Sequence, residues 1–249
     1  NVSQVTRAMQ MVAASKMRRA QAQVLGTRPY SDRAWQILKH LAAQQVAAGT
    51  LHPLLEVRDS IHAVALVLIT ADKGLCGAYN ANMLRVASRF ILDAEQPVQV
   101  IAVGRRGASF MARHRQNLLA EFSDLPPQPG ILGITPIART VIEVFLKGDV
   151  DEVYLGYTQF VNTLVQRPVI RRLLPLPTSR AHRQIGVAST VVEEEEPPER
   201  VGEYIYEPDP QSVLNTILPR FTEIQIYQAI LEALASEHSA RMVAMRSAT

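Results

Sequence analysis

The stretch QSVLNTILPRFTEIQIYQAILEALASEHSARMVAMRSAT, residues 211–249, decides the fold of this chain. Its apolar positions alternate in steps of four and three, the heptad pattern of a coiled coil, with interruptions only at Gln228 and His238. The positions are Ile217, Phe221, Ile224, Gln228, Leu231, Ala235, His238, Met242 and Met245. As one helix, this stretch would be roughly 58 Å long at about 1.5 Å per residue. A compact chain of 249 residues is only about 46 Å across. We therefore predict a helix that projects from the body of the protein and needs a partner helix.

The partner helix is predicted at the other end of the chain. Residues 11–21, MVAASKMRRAQ, contain no glycine, proline or acidic residue, and a helix is predicted over residues 3–27. Val5, Met9 and Val12 lie at spacings of four and three and form a narrow apolar line. We expect the two terminal segments to form an antiparallel coiled coil. The alternative is that both helices pack flat on the central domain.

Prolines and one glycine predict where helices begin or are interrupted. Gly26 and Pro29 predict a kink or short break in the N-terminal helix. Thr135 is expected to cap a helix whose first residue is Pro136. Pro219 is expected either to kink the C-terminal helix or to mark its start.

The middle of the chain alternates between strands and helices. Short apolar runs bounded by turn residues predict strands at 62–70, 98–104, 152–158 and 168–175. Helical patterns lie at 80–95, 105–117 and 135–147. This alternation is typical of an α/β domain. The predicted organisation is an N-terminal helical segment over 1–55, a central α/β domain over 56–205 and a C-terminal helix over 206–249.

The charge is distributed unevenly, although the net charge is only +3. Residues 1–33 carry six cations and one acid, whereas residues 193–207 carry seven acids and one arginine. Such asymmetry suggests contacts with charged partners. The polar residues 178–203, with an acidic part near 190–203, predict a mobile loop.

Several classes of protein are excluded by composition. The single cysteine cannot form an internal disulfide, which fits a reducing compartment. The longest aliphatic run, residues 63–69, is too short for the roughly 20 residues of a membrane span. The N-terminus lacks the pattern of a signal peptide. Because the chain starts with asparagine and stops within a helical pattern, we expect further residues at both ends.

Two glycine-containing turns follow predicted strands, ITADKGLCGAYN at 69–80 and GRRGAS at 104–109. Neither matches the P-loop or the dinucleotide fingerprint, so we interpret their glycines as requirements of tight turns. Cys76 has no evident basic partner, and the six histidines lack the spacing of metal ligands. We therefore predict no catalytic residue, no metal site and no cofactor.

Two other classes of function stay open at this point. Glycine turns between strands and helices allow a nucleotide-binding α/β enzyme. The cluster of Lys16, Arg18 and Arg19 allows a nucleic-acid binder, although interleaved aromatic residues and a recognised motif are absent.

Five stretches together resemble the gamma subunit family of the rotary ATP synthase. TRAMQMVAASKMRRAQ (6–21) resembles the N-terminal shaft signature of that family, and ITADKGLCGAYN (69–80) resembles its central-domain signature. LLPLP (173–177), YEPDP (206–210) and IYQAILEALASEHSARMVAMRSAT (226–249) complete the pattern in the same order. The resemblance implies an antiparallel two-helix coiled coil as a shaft and a central Rossmann-like α/β domain as its foot.

The resemblance also implies a rotor without an active site of its own. In this family a membrane ring of proton-carrying c subunits turns the foot, and the shaft turns inside a hexamer of alpha and beta subunits. The implied partners are the alpha, beta and epsilon subunits and the c-ring, with no nucleic acid and no direct membrane span. The implied location is peripheral, at the cytoplasmic face of the bacterial plasma membrane or the equivalent face of another energy-transducing membrane.

Contact residues are implied by the same resemblance. Those expected to face the alpha/beta hexamer are Arg7, Met9, Lys16, Arg18, Arg19, Glu237 and Arg241. Those expected to face the membrane ring and the epsilon subunit are Tyr204, Tyr206 and Glu207. Arg7 stands where the family more often has lysine, which keeps the charge but alters its geometry.

Overall fold

A computed structural model describes residues 2–48, 52–176 and 209–249. The helices are α1 (Val2–Ala48), α2 (Tyr79–Asp93), α3 (Arg105–Arg113), α4 (Ile131–Lys147) and α5 (Pro210–Ser247). The strands are β1 (Val64–Ile69), β2 (Val98–Val103), β3 (Asn117–Phe122), β4 (Glu152–Phe160) and β5 (Gln166–Leu174). The α/β class is thus confirmed, with a long helix at each end of the chain. The predicted acidic loop lies outside the described residues.

The five strands form one mixed sheet in the order β3-β2-β1-β4-β5. Four of the strands are parallel, and β5 runs antiparallel to β4. Every residue of β1 is buried, because alternate side chains enter the hydrophobic clusters on the two faces of the sheet. One cluster contains α4 and α5, and the other contains α2 and α3. The central strand therefore lies between two layers of helices.

Helices α1 and α5 pack side by side in opposite directions. Thr6 Oγ1 lies 2.8 Å from Thr249 Oγ1, and Gln228 Nε2 lies 3.5 Å from Thr27 Oγ1. The start of α1 is therefore beside the end of α5. This arrangement confirms the antiparallel pair of terminal helices.

The buried positions of α1 differ from the predicted ones. Val5 and Val12 are 58% and 55% exposed, so the predicted apolar line was wrong. The buried side chains of the first half of α1 follow a heptad spacing at Thr6, Ala13, Met17, Ala20 and Val24. The register places the long side chain of Met242 opposite Ala13. The buried line of α1 thus includes the small residues Ala13 and Ala20, which a search for large apolar residues on one helix does not find.

Helix α5 is buried on two faces along its middle. From residue 221 to residue 239, every side chain except Tyr227, Leu234 and Glu237 is buried. One face meets α1, and the other belongs to the hydrophobic cluster that contains β1, β4 and α4. The predicted heptad positions are all buried or half-buried, but they describe only one of these faces. The heptad spacing therefore predicted the face that meets α1, but not that the middle of α5 also packs on the foot.

Three prolines that were expected to interrupt or start helices, Pro29, Pro136 and Pro219, lie inside them. Helix α1 runs without interruption through Pro29, and α4 begins at Ile131 and continues through Pro136. Helix α5 begins at Pro210 and continues through Pro219. Each proline removes one backbone hydrogen bond, which the rest of a long or well-packed helix offsets. The predicted break in α1 and the predicted cap at residue 135 were wrong.

Strand β3 was not predicted. The helix expected over residues 105–117 ends at Arg113, and Asn117–Phe122 pairs with β2 as a parallel edge strand. Its residues alternate between exposed and half-buried, so it lacks the continuous apolar run that identified the other strands. An edge strand that is half-covered gives a weak sequence signal.

Acid should weaken the pairing of α1 with α5 through His238. This side chain is buried, and its Nδ1 lies 3.3 Å from Arg241 Nη1, which donates to it. Burial, followed by the charges of Arg241 and Lys16, lowers the pKa of His238 to about 4. As the pH falls through the ordinary value near 6.5, the unfolded chain binds a proton that the folded chain does not. Stability that is fully present at neutral pH is therefore lost progressively between about pH 6.5 and pH 4.

The check is urea unfolding of the wild type and of His238→Gln at pH 7 and pH 5. We expect the wild type to lose about 2 kcal/mol more than the variant between these two values. Glu237 has a raised pKa and acts in the opposite direction, but it is present in both proteins and cancels in the difference. Equal losses of unfolding free energy in the two proteins would contradict the assignment of the acid sensitivity to His238.

Candidate functional site

The carboxyl ends of β1 and β4 define the place where open α/β sheets usually bind ligands. Strand order reverses there, because β2 and β3 lie to one side of β1 and β4 and β5 lie to the other. In this chain α5 crosses that place. The hydroxyl of Tyr79 donates to the Ala233 carbonyl at 3.1 Å, and the Ser236 hydroxyl donates to the Thr158 carbonyl at 3.0 Å. Helix α5 therefore fills much of the crevice, and a cavity of about 210 Å³ remains between α5, the β1–α2 turn and strands β4 and β5.

Two further contacts continue this line along α5. The Ser239 hydroxyl donates to the Thr163 carbonyl at 2.7 Å, in the turn between β4 and β5. Arg241 Nη2 donates to the Gly74 carbonyl at 3.3 Å, in the turn between β1 and α2. We call the contacts of residues 233–244 with the sheet and its turns the joint. It connects the shaft, α1 with α5, to the foot, the sheet with α2, α3 and α4.

The backbone amides at the start of α3 also find hydrogen-bond acceptors within the chain. Arg105 N donates to Asp72 Oδ1 at 3.0 Å, Arg106 N donates to the Ala71 carbonyl at 3.1 Å, and Gly107 N donates to Thr70 Oγ1 at 2.8 Å. Free amides at a helix start are the usual phosphate site. Here the carboxylate of Asp72 takes the place that an anion would have.

Glycine is required in the turn that precedes α3. Gly104 has a φ of 101°, and a Cβ there would lie 2.2 Å from the carbonyl oxygen of Thr70. No other residue type fits so close an approach of two backbones. The first glycine of the GRRGAS stretch is thus required because the β2–α3 turn packs against the end of β1.

Cys76 lies in the same region but has the wrong surroundings for a nucleophile. Its side chain is buried, its Sγ accepts from Asn80 Nδ2 at 3.2 Å, and burial raises its pKa. Reactive cysteines instead have a lowered pKa and some exposure. Within the ranges described, no group of three or more histidine, cysteine, aspartate or glutamate side chains could hold a metal ion.

The expected contact residues of α1 differ in exposure. Arg7, Arg18 and Arg19 are exposed, whereas Met9 and Lys16 are half-buried. Lys16 lies close to α5, because its charge helps to lower the pKa of His238 and opposes the rise in the pKa of Glu237. Three of the five side chains are therefore fully available to a partner.

Glu237 and Arg241 on α5 interact with each other. Arg241 Nη2 lies 2.6 Å from Glu237 Oε1, and the side chains are only 13% and 12% exposed. Burial raises the pKa of Glu237, although the charges of Arg241 and Lys16 act against that rise. The sequence pointed to a role at a partner surface, whereas the structure places both side chains within the chain's own joint. Tyr204, Tyr206 and Glu207 lie outside the described residues.

Known proteins match the chain over its whole length. A family model described as ATP synthase matches residues 1–249. The ATP synthase gamma chain of Roseiflexus castenholzii is 52% identical, over 100% of this chain and 81% of that protein. The ATP synthase gamma chain of Dehalococcoides mccartyi is 45% identical, over 100% of this chain and 82% of that protein. The chain belongs to the ATP synthase gamma chain family.

Solved structures share the fold of this gamma-family chain. A chain in the central stalk and c-ring structure of the Tetrahymena thermophila mitochondrial ATP synthase matches with a TM-score of 0.72 and 23% identity, over 98% of this chain and 99% of that one. A chain in the Euglena gracilis mitochondrial ATP synthase rotor matches with a TM-score of 0.52 and 16% identity, over 94% of this chain and 91% of that one. Two long terminal helices on an α/β domain are thus the architecture of this fold.

The joint residues of the gamma-family chain were missed by sequence reasoning. Ala233, Ser236, Ala240 and Ala244 recur at spacings of three and four on α5, which indicates a second helical face of small residues. That pattern could have predicted a close contact with another element. It could not have predicted which strand ends would meet the helix.

Within the described ranges, the helices lack an apolar stretch of the length that a membrane span requires.

Removing the internal anion at α3 should destabilise the foot. Asp72→Ala leaves the amides of Arg105 and Asp124 without the carboxylate oxygens that now accept from them. We expect a loss of about 1 kcal/mol in the free energy of unfolding, comparable to the loss of a helix cap. Urea unfolding at neutral pH measures this loss.

Asp149→Ala is the matched control, because Asp149 is an exposed acid of the same foot. Its replacement should change stability by less than about 0.5 kcal/mol. If the two variants were equally stable, Asp72 would not be acting as the internal anion of α3.

Proposed function

We propose that this gamma-family chain is the central rotor shaft of a rotary ATP synthase, a subunit that couples rotation to conformational change without catalysing a reaction itself. One observation supports the proposal above the others. The same helix, α5, pairs with α1 and also fills much of the crevice at the carboxyl edge of the sheet. A torque applied to the foot therefore reaches the coiled coil through a continuous set of contacts.

The proposed partners follow from the family and from the named complexes of the structural relatives. The foot is turned by a membrane c-ring, next to an epsilon subunit, and the shaft turns within a hexamer of alpha and beta subunits. The chain acts without a cofactor and is peripheral to the membrane, at the cytoplasmic face in a bacterium or the equivalent face elsewhere. Tyr204, Tyr206 and Glu207 are the proposed contacts of the foot with the ring and epsilon.

The mechanism is one of differential contact. A rotor can shift a surrounding site between conformations only by the difference between its interaction free energies with them. Helix α1 offers such contacts on the side that α5 leaves open. Val5, Met11 and Val12 are exposed there, in addition to the arginines already described. An asymmetric shaft presents different combinations of these side chains to each surrounding subunit as it turns.

The proposed electrostatic contacts are suited to repeated breaking. Exposed ion pairs contribute typically about 0–1 kcal/mol each, because water and salt screen them and side-chain entropy opposes them. Arg7, Arg18 and Arg19 are exposed and can face acidic loops of the surrounding subunits. Weak pairs bias the orientation of a rotor without locking it. For Glu237 and Arg241, the proposed contact with the hexamer is limited to the small exposed part of each side chain.

The test is a complex assembled with Arg7→Gln/Arg18→Gln/Arg19→Gln. We expect proton pumping per ATP hydrolysed to fall roughly fivefold, which corresponds to about 1 kcal/mol of lost coupling. The measurement combines acidification of inverted vesicles with ATP turnover in the same preparation. Subunit composition is determined on each preparation, with alpha, beta and epsilon expected to co-purify with the chain.

Arg89→Gln/Arg139→Gln is the control, because both arginines are exposed on helices of the foot and form only local pairs. It should pump like the wild type. If the α1 variant also pumped and hydrolysed normally, the roles of its three arginines would be wrong. If the chain purified without alpha and beta subunits, the proposed function itself would be wrong.

A further inference from the structure

Arg241 contacts both parts of the molecule with one guanidinium group. Its Nη2 donates to the Gly74 carbonyl of the foot at 3.3 Å and pairs with Glu237 Oε1 at 2.6 Å. Its Nη1 donates to Nδ1 of His238, which is buried where α5 meets α1. A single side chain therefore joins the β1–α2 turn to the interior of the shaft.

Besides Arg241, the turn is tied to α5 by the Tyr79 hydroxyl, which donates to the Ala233 carbonyl at 3.1 Å where α2 begins. Leu75 at its tip is 64% exposed and has a φ of 61°, so the turn is not anchored by its own apolar side chain. Next to it, Ala71, Cys76 and Tyr79 form a small cluster with Ala240. Apart from the Tyr79 hydrogen bond, this cluster supplies van der Waals contact, which permits sliding of the turn along a face of small residues. The charge-assisted group at Arg241 is directional and resists such sliding.

We propose that Arg241 is a positioning residue of the rotor, whose guanidinium ties the β1–α2 turn of the foot to the shaft so that the two turn together. The proposal rests on the proposed rotor function and specifies where torque crosses the joint. It assigns the main role of Arg241 to the inside of the rotor and leaves only the small exposed part of the side chain to the surrounding subunits. Glu237 orients the guanidinium, because a nearly buried arginine needs a nearly buried carboxylate beside it.

The joint offers a covalent substitute for this contact. A Cβ built on Gly77 lies 3.9 Å from Cβ of Ala244, within the range of about 3.5–4.5 Å that disulfides span. Gly77→Cys/Ala244→Cys would therefore connect the same turn to the same helix. Cys76 is the only native cysteine and is replaced by alanine, so that a single disulfide can form. The left-handed φ of 57° at Gly77 makes this site strained for cysteine, which is why oxidised and reduced forms of one protein are compared.

The experiment uses the assembled complex with Glu237→Gln/Arg241→Gln. Replacing both partners removes the tie without leaving a buried charge unpaired. Arg246→Gln is the matched control, because Arg246 is an exposed arginine near the end of the same helix. We expect proton pumping per ATP to fall about threefold in the double variant and to stay normal in the control. Hydrogen exchange of residues 71–79 should become faster in the double variant only.

The decisive step adds Cys76→Ala, Gly77→Cys and Ala244→Cys to the double variant. Oxidation should restore most of the pumping per ATP, and reduction should abolish the recovery. Recovery would exclude a role at the surrounding subunits, because the disulfide restores no charge. Low pumping in the oxidised form, or pumping and exchange in the double variant equal to the control, would overturn the proposal. A complex that couples normally without the chain would instead overturn the rotor function.

Discussion

Burial of α5 on two faces is the constraint on which the rest of the structure depends. A helix that packed only on α1 would form a coiled coil free to move relative to the foot. A helix that packed only on the sheet would give an ordinary α/β domain without a shaft. Because its middle is buried against both, α5 makes the shaft and the foot share one hydrophobic core. Core packing of this kind transmits displacement, since close-packed interiors have low compressibility.

The same burial explains why α5 fills much of the usual ligand crevice of the fold. Hydroxyl groups of Tyr79, Ser236 and Ser239 bond to backbone carbonyls across the carboxyl edge of the sheet. Small side chains between them let the helix approach closely. At α3 the carboxylate of Asp72 satisfies amides that would otherwise attract an anion. The fold thus keeps the geometry of a binding site while its own residues occupy the binding positions.

Charge is used differently inside and outside the shaft. The exposed arginines of α1 are screened by water, and each contributes little to any single contact. The nearly buried pair of Glu237 and Arg241 has lost most of its hydration, so breaking it by removing one partner is costly. In the proposed rotor, weak exposed pairs suit contacts that form and break with each turn, and a buried pair suits a contact that persists through every turn.

The sequence by itself determined the α/β class, the long terminal helices, their antiparallel partnership and the family. Heptad spacing over residues 211–249 and apolar runs at the central strands carry the class and the helices, because period and length are local properties. The resemblance of the five quoted stretches carries the family. The buried line of α1, the edge strand β3 and the joint were decided only by the tertiary structure. The sequence alone cannot tell that Ala13 is buried and Val5 exposed, because burial depends on which residue of α5 lies opposite each of them. The sequence alone also cannot tell that Arg241 is nearly buried and Arg18 exposed, because exposure depends on contacts between residues far apart in the chain.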